Sequence, residues 1–335
     1  MSNEPKQAHI GVIGAGEWGT ALAILANRAG SKATLWTRNA AVRASIGRQR
    51  VNSVYLPDQF IDPQISVTED LASLAACDAL ILTIPAQSLR TVVIGLSDVI
   101  HTRLPMVLAT KGIERGSLML MSEVLQTILP HNPYAVLSGP NFAGEAAAGL
   151  PTATVLASYH LGMAENLAFM LGGKYFRIYI TDDPIGAQIG GALKNVLAIG
   201  AGICEGRGMG ENARAALITR GVAEIARLAK AKEGKESTLM GLAGMGDILL
   251  SCTSTRSRNF ALGLQLGKGG KPSPASDAAK QLLTEGVATA ESVYLLSRKM
   301  GVSMPISWMV HEVLSGKTPV DGALEALLER PVPLE

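Results

Sequence analysis

Short apolar runs alternate with helical stretches from His9 to about Thr181 of this 335-residue chain. The runs are almost continuously apolar, as strands buried on both faces of a parallel sheet are. Stretches with helical periodicity, such as Glu17–Ala29 and Ser88–Val99, lie between them. The alternation predicts βαβ units that build an α/β, Rossmann-type doubly wound sheet. The predicted strands are His9–Ile13, Ala33–Thr37, Ala79–Ile84, Met106–Ala109, Ala135–Leu137 and Thr154–Ala157.

The pattern changes near Asp182, where Asp182-Asp183-Pro184 has the residues that favour the start of a helix. The rest of the chain has helical periodicity and few β-branched runs, so we predict an all-helical second domain. The two domains are therefore residues 1–184 and 185–335. A Gly/Lys/Pro/Ser stretch, Gly267–Ser276, is predicted to be a loop inside the second domain. The clearest predicted helices of the second domain are Ala213–Lys232, Ala288–Met300 and Val320–Leu328.

The composition is that of a globular protein with a large core, because 47% of the residues are hydrophobic and only 17% are charged. The net charge of +2 provides no strong field to attract nucleic acid or an anionic membrane. Cys77, Cys204 and Cys252 are widely spaced, which argues against a zinc site or disulfide framework. The polar N-terminus and the absence of a long apolar run predict a cytoplasmic protein with no membrane span.

The glycine motif Gly14-Ala15-Gly16-Glu17-Trp18-Gly19 follows the first predicted strand and opens a helix. In a dinucleotide-binding turn, the first glycine allows the tight turn and the second lets a pyrophosphate approach the backbone. The third glycine lets the helix pack on the strand, and the amides of the helix N-terminus hold the phosphate charge. An ordinary glycine turn is the alternative.

The second predicted strand ends Leu35-Trp36-Thr37-Arg38, without the acidic residue that usually receives the ribose 2′-hydroxyl of NAD. Arg38 could pair with a 2′-phosphate or stack on adenine, which favours NADPH or the use of both cofactors. A surface arginine that opens a helix is the alternative.

Two lysines are candidates for chemistry. Lys111 directly follows a predicted strand, where it could reach a bound anion or carbonyl or could remain a solvated loop residue. Lys194 is the only charged residue among the twenty of Ile185–Cys204. A buried ammonium must snorkel, find a partner or take part in chemistry, and a desolvated lysine can exchange a proton near neutral pH. Asn195 could bind a ligand or anchor a neighbouring loop.

Two further segments carry polar candidates. Asp247 ends the glycine-rich segment that begins at Gly241, and we expect it to cap the following helix, with contact to Lys194 or a substrate hydroxyl also open. The segment Ser254–Asn259 places two arginines among hydroxyls before a predicted helix, Phe260–Leu266. It could be an anion site or a solvated basic loop.

Taken in order, these motifs resemble the NAD(P)-dependent glycerol-3-phosphate dehydrogenase family of the soluble prokaryotic type, from about Ile10 to Leu327. No single motif is decisive, but the ordered set is highly specific. The segments that carry the resemblance are Gly14–Ala23, Thr110–Gly112, Ser138–Ala143, Leu193–Val196, Gly241–Asp247, Cys252-Thr253 and Ser257–Asn259.

The resemblance implies reversible reduction of dihydroxyacetone phosphate to sn-glycerol 3-phosphate with NADPH or NADH, which would supply phospholipid synthesis. It also implies a helical domain like that of 6-phosphogluconate dehydrogenase, a homodimer and no metal. By position, Lys194 resembles the proton donor and acceptor, with Asp247 as its catalytic partner. The implied substrate-binding residues are Lys111, Gly139, Asn141, Lys194, Asp247, Ser257, Arg258 and Asn259. The implied cofactor-binding residues are Gly14, Gly16, Glu17, Trp18, Gly19, Arg38, Lys111, Ala143, Arg258, Leu283 and Glu285.

The chain departs from the family pattern in two places. Glu17 stands where the family usually has serine, and we expect its carboxylate to point to solvent, away from the pyrophosphate. The segment Leu282–Gly286 differs from the usual valine-rich version, which bears on the contact at Leu283 more than on that at Glu285.

Two other functional classes share parts of this pattern. A β-hydroxyacid dehydrogenase or ketopantoate reductase would act on carboxylates, and the Ser257–Asn259 set argues against it. A non-catalytic NADPH sensor would have no need of Lys194 and Asp247.

Overall fold

The computed structural model describes residues 7–100, 103–270 and 277–329, the last range without the side chains of residues 277–284. The chain divides into two compact units. The first comprises the described residues up to Thr110 together with Met121–Pro184. The second comprises Lys111–Leu120 together with the described residues from Ile185 onward.

The first unit is a doubly wound α/β sheet, in agreement with the predicted Rossmann-type fold. Eight strands lie in the order β10-β9-β8-β7-β6-β1-β2-β5, and all neighbours are parallel except β8 and β9. A separate antiparallel pair consists of β3 and β4. The strands are β1 (His9–Ile13), β2 (Lys32–Trp36), β3 (Val51–Asn52), β4 (Leu56–Phe60), β5 (Ser66–Thr68), β6 (Ala79–Leu82), β7 (Met106–Leu108), β8 (Tyr134–Ser138), β9 (Thr152–Ala157) and β10 (Phe176–Thr181). The helices are α1 (Glu17–Arg28), α2 (Ala40–Gln49), α3 (Leu89–Ser97), α4 (Met121–Ile128), α5 (Ala143–Ala148) and α6 (Leu161–Leu171).

The six predicted strands are all present, and their ends differ by two residues at most. They form the central part of the sheet, where Ile10, Val12 and Leu80 are completely buried. The pattern missed both edge strands, β5 and β10, and the small β3–β4 pair. Edge strands are exposed on one side, so they are not continuous apolar runs: in β10, Arg177 and Tyr179 are exposed while Phe176 is buried.

The second unit is helical, as predicted. Its first helix, α7, begins at Pro184, at the predicted start, and α11 begins at Arg258, two residues before the predicted helix. Of the predicted loop Gly267–Ser276, Gly267 ends α11, a turn over residues 268–269 follows, and residues 271–276 lie outside the described residues. The helices are α7 (Pro184–Gly206), α8 (Gly210–Ala231), α9 (Glu236–Leu239), α10 (Asp247–Thr253), α11 (Arg258–Gly267), α12 (Asp277–Lys299), α13 (Pro305–Leu314) and α14 (Val320–Leu328).

Helix α7 is the buried centre of the second unit. Among the described helices it is the one that is long and apolar enough to cross a membrane, but 94% of its apolar window is buried inside the protein. Its burial depends on close helix contacts: a Cβ on Gly202 would lie 2.1 Å from the Phe260 carbonyl oxygen, and one on Gly206 would lie 2.4 Å from that of Leu264. Helices α7 and α11 therefore meet backbone to backbone, which requires glycine at these positions.

Candidate active site

The β1–α1 turn has the room and the donors that a phosphate group needs. Gly14 has a φ of +111°, its amide donates to the Trp36 carbonyl (3.0 Å), and its carbonyl accepts from the Thr83 hydroxyl (2.8 Å). A Cβ on Gly19 would lie 1.8 Å from the Gly14 oxygen, so α1 can pack on the turn only with glycine there. A Cβ on Gly16 would meet nothing within 4 Å. The open space lies at the N-terminus of α1, whose first amides have no partner inside the helix.

The two residues after Gly16 point in different directions. Glu17 is exposed, as we expect from its charge. Trp18 is partly buried, and its ring makes a T-shaped contact with that of Phe176, with the ring centroids 6.5 Å apart. The acidic side chain is thus placed in solvent, while the aromatic one is part of the packed unit.

The end of β2 carries more charge than the sequence pattern indicates. Arg38 is exposed there, just before α2. Arg43, on α2, donates to the Thr37 carbonyl (2.9 Å) and forms an ion pair with Glu69. Glu69 follows β5, the neighbour of β2 in the sheet. An acidic residue therefore does reach the end of β2, and sequence reasoning missed it because the neighbouring strand supplies it.

In the second unit, two lysines share one buried carboxylate. The Lys194 ammonium donates to Asp247 Oδ1 at 2.5 Å, and the Lys111 ammonium donates to Asp247 Oδ2. The side chain of Asp247 is completely buried, whereas those of Lys194 and Lys111 are 13% and 20% exposed. The expectation that Asp247 caps a helix is wrong: Gly246 is the cap residue, and Asp247 is the first residue of α10. Its carboxylate is used by the lysines.

Close packing against α7 brings Asp247 to Lys194. Gly190 and Lys194 are four residues apart and lie on the same face of α7. A Cβ on Gly190 would lie 2.5 Å from the Ala243 carbonyl oxygen, so the turn before Asp247 sits directly on the helix. Ala243 is four residues before Asp247, and the next turn of α7 carries Lys194 to the carboxylate. The glycine-rich segment thus has a packing role that positions the charged group.

Burial controls the protonation of this cluster. Burial lowers the pKa of Lys111 to about 8, and the neighbouring Lys194 charge contributes to the decrease, while Asp247 opposes it. Burial raises the pKa of Glu285, although the charges of Arg258 and the two lysines oppose this. The second unit therefore has an amine that can lose a proton close to neutral pH.

The N-terminus of α11 holds the predicted anion-binding residues. Ser257 is buried and caps the helix, because its hydroxyl accepts from the Phe260 amide at 3.4 Å. Arg258 is exposed in the first helical turn. Asn259 donates to the Asn195 side-chain oxygen at 3.0 Å, so Asn195 anchors α11 to α7. The structure thus places Arg258 and Asn259 in the first turn of α11, whereas the predicted helix begins only at Phe260.

Further candidates lie after β8 in the first unit. A Cβ on Gly139 would lie 2.9 Å from the Thr154 Cα, and Asn141 donates to the Ala153 carbonyl at 2.9 Å. Ala143 is buried and begins α5. The Ser138 hydroxyl is buried and has no hydrogen-bond partner within the described part of the chain. Sequence reasoning did not single out Ser138 by itself, although its position at the end of a strand was a usable signal. The side chain of Leu283 lies outside the described side chains.

Metal and thiol chemistry have little support in the described part of the chain. No three His, Cys, Asp or Glu side chains of the described ranges come together as a metal site requires. Cys77, Cys204 and Cys252 are free and buried. Burial raises the pKa of Cys77 to about 11 and that of Cys252 to about 12, so these thiols stay protonated at neutral pH and are poor nucleophiles.

A doubly wound sheet with a glycine-rich first turn, followed by a helical unit with a buried lysine–carboxylate cluster, defines the class: a two-unit NAD(P)-dependent dehydrogenase. The comparisons with known proteins identify the family. The family model described as NAD-dependent glycerol-3-phosphate dehydrogenase N-terminus matches residues 9–164, and the C-terminus model matches residues 183–325. The NAD(P)+ glycerol-3-phosphate dehydrogenase of Maricaulis maris is 48% identical over 326 residues, which are 97% of this chain and 98% of that protein. The chain therefore belongs to the NAD(P)-dependent glycerol-3-phosphate dehydrogenase family and is an oxidoreductase.

Solved structures agree with this assignment. Glycerol-3-phosphate dehydrogenase from Coxiella burnetii is 38% identical, with a TM-score of 0.91 over 97% of this chain and 99% of that one. A ketopantoate reductase from Ralstonia eutropha has a TM-score of 0.60 over 94% of this chain and 99% of that one, at 15% identity. The second likeness shows a shared fold alone.

The glycines of the β1–α1 turn give a test that separates folding from cofactor binding. Gly16→Ala should leave the melting temperature of the apo protein unchanged but weaken NADPH binding about tenfold or more, because the methyl group occupies the open space. Gly19→Ala should destabilise the apo protein by about 1–3 kcal/mol or more, because the methyl group clashes with the Gly14 carbonyl. Thermal unfolding with and without NADPH measures both effects. Unchanged NADPH affinity in Gly16→Ala would show that the phosphate lies elsewhere.

Proposed function

We propose that the chain catalyses the reversible reduction of dihydroxyacetone phosphate to sn-glycerol 3-phosphate, with NADPH used at least as well as NADH. Its product would supply glycerophospholipid synthesis. The names of the relatives support the reaction, and the observation that carries it here is the buried Asp247 carboxylate shared by Lys194 and Lys111. Comparing NADPH and NADH oxidation with dihydroxyacetone phosphate and with unphosphorylated dihydroxyacetone tests it.

The lysine cluster supplies the proton that the reduction needs. When bound, NAD(P)H supplies the hydride that adds to C2 of the ketone. The C2 oxygen gains negative charge as the C=O double bond becomes a single bond. The Lys194 ammonium stabilises that charge and donates a proton to the oxygen. Asp247 holds the Lys194 ammonium in one orientation through its Oδ1. Lys111 adds a second positive charge on the other carboxylate oxygen.

The cofactor's phosphates are assigned to the β1–α1 turn. The open space above Gly16 and the amides at the start of α1 fit a pyrophosphate, and the exposed Glu17 keeps its charge outside. Arg38, exposed at the end of β2, is assigned to the 2′-phosphate and the adenine face. The remaining cofactor contacts rest on the family resemblance: Trp18, Lys111, Ala143, Arg258, Leu283 and Glu285.

The substrate phosphate is assigned to the N-terminus of α11. Arg258 and Asn259 lie in its first turn, where a guanidinium fork, a side-chain amide and the helix amides can all face an anion. The Ser257 hydroxyl caps the helix and still has a proton to donate. For Gly139 and Asn141, the support is the resemblance of their segment to the family.

We further propose a cytoplasmic homodimer. Both assignments follow from the resemblance to the family. The buried free thiols of Cys77, Cys204 and Cys252 suit a reducing compartment. Sedimentation of the purified protein tests the dimer, and a monomer at micromolar concentration would contradict it.

Removing the Arg258 guanidinium should selectively impair use of the phosphorylated substrate. Arg258→Ala should raise the KM for dihydroxyacetone phosphate by about tenfold or more, because a hydrogen bond to a charged group contributes ~1.5–3 kcal/mol. Arg256→Ala, which removes the same charge from the same segment just before α11, is the matched control and should change KM less than about threefold. Equal activity of the wild type on phosphorylated and unphosphorylated ketone would overturn the substrate assignment.

Lys194→Met keeps the length of the side chain and removes its proton. The turnover number should fall about 10²-fold or more while NADPH still binds, because general acid catalysis contributes on that scale. Lys268→Met, at an exposed lysine after α11, is the control and should leave the turnover number unchanged. A turnover number within a few-fold of wild type in Lys194→Met would reject the role.

The lowered pKa of Lys111 predicts a pH dependence. As the pH rises through about 8, Lys111 loses the positive charge that it adds beside the Asp247 carboxylate, so kcat/KM for the anionic dihydroxyacetone phosphate should fall. Lys111→Arg keeps a permanent charge and should remove this fall, whereas Lys111→Met should lower kcat/KM at every pH. Steady-state measurements of kcat/KM from pH 6 to about 9.5 test this pH dependence. The same fall near pH 8 in Lys111→Arg would assign it to another group.

A further inference from the structure

Both residues of the Arg43–Glu69 ion pair are anchored at the end of β2, Arg43 by its side chain and Glu69 by its backbone. Arg43 Nη1 donates to the Thr37 carbonyl at 2.9 Å, and the Trp36 indole donates to the Glu69 carbonyl at 2.8 Å. The Thr37 amide in turn donates to the Thr68 carbonyl at 2.9 Å. The Arg43 guanidinium and the Glu69 backbone are therefore both held against the last residues of β2, which keeps the Glu69 carboxylate within reach of Arg43.

This position is where a doubly wound sheet reads the ribose 2′ position of a bound dinucleotide. The end of β2 is also tied to the glycine turn, because the Gly14 amide donates to the Trp36 carbonyl at 3.0 Å. An acid at this point accepts a hydrogen bond from the 2′-hydroxyl of NAD, and an arginine pairs with the 2′-phosphate of NADP. Here both types of group are present and are bound to each other.

We infer that the Arg43–Glu69 pair is the element that lets this chain accept either cofactor. With NAD(H), the Glu69 carboxylate accepts a hydrogen bond from the 2′-hydroxyl while its charge stays neutralised by Arg43. With NADP(H), the 2′-phosphate replaces Glu69 on the Arg43 guanidinium, and the carboxylate moves into solvent. This inference rests on the dinucleotide site proposed above. It adds a role for Arg43 and Glu69 that is separate from the roles of Arg38 and the glycine turn.

The exposure of the two partners fits such an exchange. The Arg43 side chain is only 21% exposed, whereas that of Glu69 is 66% exposed. Exposed ion pairs are weak and screened, so the carboxylate can be displaced at small cost. Arginine has five N–H donors, and the contacts to Thr37 and Glu69 leave donors for a phosphate oxygen. Arg43 is thus the fixed member of the pair and Glu69 the movable one.

Calorimetric binding of two nucleotides tests the inference without requiring turnover. Adenosine 2′,5′-bisphosphate and adenosine 5′-monophosphate differ only in the 2′-phosphate. Arg43→Met should weaken the bisphosphate about tenfold or more and the monophosphate less than threefold or so, as expected for the loss of a charge-assisted contact. Glu69→Gln should tighten the bisphosphate about threefold or more, because the competing carboxylate charge is gone, and should weaken NAD+ by a similar factor. Arg48→Met removes the same charge from the exposed last turn of α2 and is the control.

Opposite changes for the two nucleotide types in Glu69→Gln are the result that the inference requires. Equal changes for both nucleotides in Arg43→Met would show a purely structural pair and overturn it. A loss of bisphosphate affinity in Arg38→Met but not in Arg43→Met would show that Arg38 alone binds the 2′-phosphate. That result would also overturn the inference. If the nucleotide affinities change as expected but dihydroxyacetone phosphate is not reduced, the proposed reaction is wrong and the inference about the Arg43–Glu69 pair still holds.

Discussion

The completely buried carboxylate of Asp247 is the constraint on which the second unit depends. A buried charge is costly unless it is paired and hydrogen-bonded, and Asp247 meets this condition with one lysine on each oxygen. Two ammonium groups on one carboxylate leave an excess positive charge. In the proposed reaction, that excess charge is what the anionic substrate and the developing oxyanion require. Removing either lysine would leave the carboxylate half satisfied, so the free energy of unfolding should fall together with the activity.

Small residues, rather than charged ones, decide where this cluster forms. Gly190 lets the turn at Ala243 rest on α7, and this contact sets the distance between Lys194 and Asp247. Further along the same helix, Gly202 and Gly206 let α11 approach, which places Asn259 against Asn195. The apolar, glycine-rich composition of α7 and the position of Lys194 on it are therefore parts of one arrangement.

The sequence predicted features that depend on local pattern and missed those that depend on sheet order. Central strands are apolar on both faces, so they were recognisable, whereas β5 and β10 are edge strands with exposed side chains. Lys194 is recognisable as the only charged residue in the apolar stretch Ile185–Cys204. The sequence indicates a cap role for Asp247 because the following helix is adjacent to it in the chain, whereas its contact with the two lysines appears only in the folded structure. Glu69 was missed because only the adjacency of β5 and β2 brings it to the end of β2.

The position of Glu69, directly after the strand next to β2, has a physical consequence for the choice of cofactor. An acid that ends β2 itself would be fixed beside the 2′ position and would repel a phosphate whenever one approached. An acid that follows the neighbouring strand is tethered by its backbone, while its side chain keeps the freedom to leave. Arg43 compensates the charge of Glu69 while the carboxylate is present and becomes a phosphate ligand once it has left. A single ion pair at the end of β2 can therefore serve two ligands that differ by two negative charges, without any change in the sheet that carries it.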